Sequence, residues 1–151
     1  TFTAAGNSYV GLIQDIVTTN EIILRIDTER AKVKTVTHAV EDLAAGADIA
    51  ARAVHTFEKD GWIVSARVVN QATAAAGIDN ANTCVVAVNA GGSSVATKTF
   101  DATTTFPAAN TASDLGTISN PHVSAGGVMT LAVTNGATAN PGTFIVEVDY
   151  V

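Results

Sequence analysis

A period of two in hydrophobicity, repeated along the later two-thirds of the chain and broken each time by turn-forming residues, constrains this sequence more than any other feature. Successive side chains of a strand point to opposite faces, so strict alternation marks a strand with one buried and one wet side. In residues 61–70, Trp62, Val64, Ala66 and Val68 fall on one such face. In residues 127–135, Met129, Leu131 and Val133 oppose Thr130 and Thr134, and in residues 143–151, Phe144, Val146, Val148 and Tyr150 oppose Glu147 and Asp149. Residues 49–57, 83–88, 95–100 and 115–119 complete the expected set. Between them stand Lys59-Asp60-Gly61, Ala90-Gly91-Gly92, Asn120-Pro121, Ala125-Gly126-Gly127, Asn135-Gly136 and Asn140-Pro141-Gly142, whose residue types adopt or pre-set turn dihedrals. About eight short strands at this spacing predict an all-β antiparallel sandwich or barrel, and no long helical pattern separates them as a wound α/β sheet requires.

The chain has 151 residues, enough for one domain plus an appendage. Its predicted core holds Phe57, Trp62, Phe100, Phe106, Phe144, Tyr150 and the Val, Ile and Leu set, each contributing roughly 1.5 to 3 kcal/mol on full burial. Abundant Ala and Thr fill space thinly, so the domain is expected to lean on partner subunits. A formal net charge of −6 lacks the positive field that holds phosphate backbones, which argues against a nucleic-acid partner. No apolar run approaches the roughly 20 residues of a membrane-spanning helix, and no basic stretch leads into a hydrophobic one near the start. A soluble protein made in the cytoplasm, with no membrane partner, is the expectation.

Charge is distributed unevenly. Asp15, Glu21, Arg25, Asp27, Glu29, Arg30, Lys32, Lys34, Glu41 and Asp42 crowd the first 45 residues, whereas residues 80–146 hold only Lys98, Asp101 and Asp114. The shift predicts a boundary near Ala44-Ala45-Gly46, separating an N-terminal arm, 1–45, from a sandwich domain, 46–151. In the arm, Tyr9, Leu12, Ile13, Ile16 and Val17 recur at helical spacing, with Asn7 or Ser8 able to cap a short amphipathic helix. The segment Ile22-Ile23-Leu24-Arg25-Ile26 and residues 32–40 read as extended. A small segment cannot easily bury Ile22, Ile23, Leu24 and Ile26 by itself; it either docks on a partner or supplies extra strands to the sandwich.

The chemistry-bearing residues form no recognisable catalytic pattern. His38, His55 and His122 belong to no nucleophile or metalloprotease motif, with His122 expected in a loop after Pro121. Cys84, the single cysteine, lies within a strand pattern and reads as a small buried hydrophobe. The stretch from Gly77 to Thr83 carries one carboxylate, Asp79, too few for a calcium loop, and Asx side chains shaping their own backbone explain it. Glu147 and Asp149 read as solvated charges on an outer face. No catalytic residue, cofactor or metal ligand is predicted, and a binding module is expected rather than an enzyme.

The runs Ala45-Gly46-Ala47-Asp48-Ile49-Ala50-Ala51-Arg52-Ala53-Val54, Gly61-Trp62-Ile63-Val64-Ser65-Ala66, Ala76-Gly77-Ile78-Asp79, Ser124-Ala125-Gly126-Gly127-Val128-Met129-Thr130-Leu131 and Val133-Thr134-Asn135-Gly136-Ala137-Thr138, with residues 95–99, resemble the jelly-roll head-decoration, or cement, proteins of tailed bacteriophages. The likeness covers about the last two-thirds of the chain and is one of strands and turns. It implies a jelly-roll sandwich on the outer capsid surface of a virion, binding the major capsid protein as a homotrimer at threefold positions. On that reading Leu12, Ile13, Ile16, Ile22, Ile23, Leu24 and Ile26 are expected to carry capsid or subunit contacts, with Arg25, Arg30, Lys32 and Lys34 adding complementary charge. The alternative is a carbohydrate- or receptor-binding jelly roll, against which the expected burial of Trp62 weighs.

Overall fold

The computed structural model describes residues 16–17, 21–22, 32–41, 43–71 and 75–151. The chain divides into two compact units, Thr1–Lys32 and Val33–Val151. In the first, β1 (Ile16–Val17) pairs antiparallel with β2 (Glu21–Ile22), with Ile16 opposite Ile22 and Val17 opposite Glu21. Ile16 and Val17 end the stretch whose spacing predicts a helix, and there the expectation is corrected. Two adjacent β-branched residues favour extended backbone with a cross-strand partner. Tyr9, Leu12 and Ile13, the rest of that stretch, lie outside the described residues, as do Ile23, Leu24, Arg25, Ile26 and Arg30.

The second unit runs β3 (Lys34–Val40), β4 (Ile49–Thr56), β5 (Gly61–Asn70), β6 (Cys84–Ala90), β7 (Ser93–Phe100), β8 (Ala112–Asp114), β9 (His122–Val123), β10 (Val128–Asn135) and β11 (Phe144–Tyr150). One sheet has the order β4-β10-β6-β7, and the other β3-β11-β5-β8 with β9 also on β5. Apart from β9, the pairs are nested: β3 with β11, β4 with β10, β5 with β8, and β6 with β7. A long antiparallel hairpin folded over on itself in this way is a jelly roll, so the all-β sandwich expected from the alternation is the fold.

β3 lies on the arm side of the boundary that the charge shift predicts. Its unbroken register with β11 makes it the first strand of the roll, and the compact unit starts at Val33. Charge density misplaces the join because β3 is an edge strand: Thr35, Thr37 and Ala39 stay in water, while Val36 and His38 are half-buried and Val40 is buried.

Inside, Met129, Leu131 and Val133 meet Phe144, Val146 and Val148, the inward sets that alternation assigns to β10 and β11, together with Val86, Val88 and Phe100. Aromatic rings fill the two ends. Phe106 lies edge-on between Phe100 and Phe144, with centroids 4.8 and 5.4 Å away, and Phe57 meets His55 at 4.9 Å and Tyr150 at 5.1 Å. At one end the loops lock together by hydrogen bonds. The Asn135 N–H donates to Asp48 Oδ1 and Asn135 Nδ2 to the Ala47 carbonyl, both at 2.7 Å. Asp79 Oδ1 accepts from the Ala81 and Asn82 N–H groups at 2.8 Å each, the loop-shaping role expected of an Asx side chain.

Alternation fails in β5. Ser65 opposes Asp149 and Ile63 opposes Tyr150, so Val64 is an extra residue, a β-bulge. The bulge reverses the parity of everything before it. Ile63 turns into the core, while Trp62, expected there, turns to water together with Val64. Two further expectations are corrected nearby. The strand expected at residues 115–119 forms instead at β8, with Leu115 buried just beyond it and Gly116 ending the extended run at φ 96°. His122 lies in β9, paired with Trp62, rather than in a loop.

Candidate interaction surface

The outer face of the sheet containing β3, β11 and β5 is organised in cross-strand rungs. Trp62 and Val151 exchange two backbone hydrogen bonds of 3.0 Å, which puts their side chains on the same face. Lys34 opposes Tyr150, so Val33 falls one register step on, beside Val151. On the far side of Trp62 stands His122, its ring centroid 5.2 Å from the indole, with Nε2 3.8 Å from Asp60 Oδ2. Val33, Val151, Trp62 and the bulged Val64 keep 58%, 37%, 53% and 49% of their surface in water. Single exposed apolar residues are ordinary, but this rung is contiguous and exposes on the order of 300 Å², the size of a functional patch on a small protein.

The next two rungs are polar and internally satisfied. Asp149 Oδ1 accepts from the Thr35 hydroxyl at 2.6 Å, and Oδ2 accepts from the Ser65 hydroxyl at 2.7 Å and from Arg67 Nη1 at 3.2 Å. Arg67 Nε also donates to Glu147 Oε2 at 2.6 Å. The Thr35 and Ser65 hydroxyls, and then the nearby guanidinium, hold the Asp149 carboxyl below its ordinary value. The bond to Glu147 foremost raises Arg67 above its own. A carboxylate so stabilised in its charged form is a weak base, and the cluster acts as a clamp that ties β3, β11 and β5 together beneath the apolar rung.

The remaining reactive groups are dispersed. His38, His55 and His122 lie on β3, β4 and β9. Cys84 is buried, and desolvation pushes its thiol up to about 12. Among the described residues no group of three or more His, Cys, Asp or Glu side chains is placed to hold a metal ion, and no helix is long and apolar enough to cross a membrane.

Of the contact residues predicted from the arm, Ile16 and Ile22 are register partners in the β1–β2 pair, Lys32 is the last residue of the first unit and Lys34 the first of β3, and both lysines are exposed. Leu12, Ile13, Ile23, Leu24, Arg25, Ile26 and Arg30 lie outside the described residues. Sequence reasoning missed the Trp62 rung because it read alternation straight through Val64. Nothing in the composition of β5 marks the bulge; it is visible only in the pairing with β11.

Fold and surface together define a jelly-roll sandwich whose outer sheet carries an exposed apolar rung beside a polar clamp. Compared with known proteins, the sequence matches no family model and has no significant match among curated proteins.

Proposed function

We propose that the chain is a structural virion protein that decorates and stabilises a bacteriophage capsid, binding the major capsid protein on the outer shell as a homo-oligomer. The observation that carries this reading is the exposed rung of Val33, Val151, Trp62 and Val64 on a jelly-roll sandwich; the likeness of its sequence segments to head-decoration proteins supplies the kind of partner. Covering about 300 Å² of apolar surface yields roughly 7 kcal/mol at about 25 cal/mol per Å², which the roughly 4 to 15 kcal/mol cost of association largely offsets. One such contact is weak; many copies on a repeating lattice bind through avidity. In this reading Leu12, Ile13, Ile16, Ile22, Ile23, Leu24 and Ile26 add apolar contact, and Arg25, Arg30, Lys32 and Lys34 add charge. Co-sedimentation of the purified chain with undecorated capsid shells tests it. Saturable binding, lost on replacing both Ile23 and Leu24 by Asp while the sandwich stays folded, is the expected result. Shells that pellet without the chain refute it.

The exposure of Trp62 favours one second reading, a carbohydrate- or receptor-binding module. An indole open to water beside His122 and Asp60 is the kind of platform on which a sugar ring stacks. Specific hits on a glycan array, abolished by Trp62→Ala, would support that reading over the capsid one.

A further inference from the structure

We infer that the outer face of the β4-β10-β6-β7 sheet is a self-association surface, on which two copies of the chain pack sheet against sheet about a twofold axis. This goes beyond the capsid reading, which uses the outer face of the other sheet, and does not depend on it.

Register fixes what this face presents. Met129, Leu131 and Val133 of β10 lie in the core, so Thr130, Ala132 and Thr134 between and beyond them point outward. Their partners extend the rungs across the sheet. Thr134 stands beside Val85 and Val85 beside Thr99, while Ala132 stands beside Ala87 and Ala87 beside Thr97. The next rung runs through Ala53, Thr130, Asn89 and Ser94. All of these are described residues, each exposed or half-buried, and none carries a charge. The two cations on the same strands have the opposite parity. Arg52 is opposite the core residue Leu131 and Lys98 opposite the core residue Val86, and Lys98 Nζ donates to Ser113 Oγ and the Asp114 carbonyl of the other sheet, both at 2.8 Å.

A sheet face that stays in water carries charge, as the outer face of the other sheet does at Arg67, Glu147 and Asp149. Depletion of charge marks instead the buried centre of an interface. Small side chains also lose little rotamer freedom on burial, and they keep the surface flat enough for a second sheet to lie about 10 Å away. The smallest pair, Ala132 beside Ala87, sits at the middle of the two central strands, where two such sheets approach most closely.

Chemistry selects the occupant. Among the described residues the face offers no cation to a phosphate, no aromatic ring to a sugar and no charge for a charged protein surface to complement. It matches another neutral face of small residues, and every copy of the chain supplies one. Two copies with a formal net charge of −6 repel wherever their acidic surfaces meet, and here they meet without bringing charged side chains together. A twofold axis in the contact plane lays the Ala132 and Ala87 pair of one copy on the same pair of the other, an isologous contact. It differs from the threefold trimer that the resemblance implies. Four strands about 4.8 Å apart and about 20 Å long present about 400 Å² per copy. The pair then buries about 800 Å², below the roughly 1,200 Å² of a standard interface, so the dimer is concentration-dependent.

The test is sedimentation equilibrium of the full chain over a wide concentration range, with A132D, A132K and their equimolar mixture. Wild type forms a dimer as concentration rises. Each variant alone sets like charges together at the axis and weakens the dimer about tenfold or more. The mixture recovers it, because Asp of one copy then meets Lys of the other, and recovery also shows that both variants fold. Ala87→Asp and Ala87→Lys repeat the test from β6, so that a folding defect of the β10 variants leaves the inference open to refutation. A dimer with that pattern bears the inference out. A monomer at every concentration, a trimer, a dimer indifferent to the single variants, or mixtures at both positions that associate no better than their components overturn it.

Discussion

Replacing Trp62 by Ala separates the bulged β5 from the regular strand that alternation predicts. Trp62 keeps 53% of its surface exposed, so about half of the roughly 250 Å² of a tryptophan is withdrawn from water. At about 25 cal/mol per Å² that burial is worth about 3 kcal/mol. Residual compactness of the unfolded chain and the surface an Ala still buries reduce the loss to about 1.5 to 2 kcal/mol, and no cavity term is added because the indole lies on the surface. Phe57→Ala supplies the contrast. Phe57 is 2% exposed and packs against His55 and Tyr150, so its truncation leaves a void and costs about 3 to 5 kcal/mol. Urea unfolding followed by far-ultraviolet circular dichroism measures both, since Trp62 is the only tryptophan and its loss removes the intrinsic fluorophore. Equal costs for the two variants would put Trp62 in the core and remove both the bulge parity and the exposed rung.

Three further outcomes follow from the same packing. The folded Asp149 carboxyl titrates below its unfolded value of about 3.9, so its contribution is present above that pH and is lost as pH falls through the folded value. Asp149→Asn should therefore cost about 1 to 2 kcal/mol at neutral pH and flatten the acid limb of stability measured by urea unfolding against pH. Cys84, buried and with its thiol pushed up to about 12, should react with an alkylating probe only as fast as the protein opens; rapid labelling of the native chain would contradict its placement. Gly77 has φ 64° and a Cβ there would come 2.1 Å from the Thr138 carbonyl oxygen, whereas Gly91, at φ 56°, has nothing within 4 Å. Gly77→Ala should cost several kcal/mol and Gly91→Ala only about 1 kcal/mol, as read by thermal unfolding.

The fold was legible where one rule acted alone. Along β10 and β11 the alternation of Met129, Leu131 and Val133, and of Phe144, Val146 and Val148, translates directly into inner faces, because each strand pairs on both sides and its register leaves no choice of face. It failed where pairing added a residue, as at Val64, since a bulge is a property of two strands and one strand's sequence does not announce it. The arm boundary failed for a different reason. An edge strand such as β3 is half wet, and its Lys34 and threonines look like solvated linker although its backbone is ordered by β11. Of the surface, the polar clamp was legible as charges on an outer face at Glu147 and Asp149, but their shared partner Arg67 lies on another strand, and only the fold brings it there.

The most direct test of the account compares wild type with Val64→Asp in binding to undecorated capsid shells. Val64 is half exposed on the bulge, so a carboxylate there leaves the core intact and places a charge in the exposed apolar patch beside Trp62. Saturable binding by wild type, weakened about tenfold or more in a variant that unfolds at nearly the same urea concentration, is the predicted result. Undiminished binding by Val64→Asp, or no binding by wild type, would contradict it.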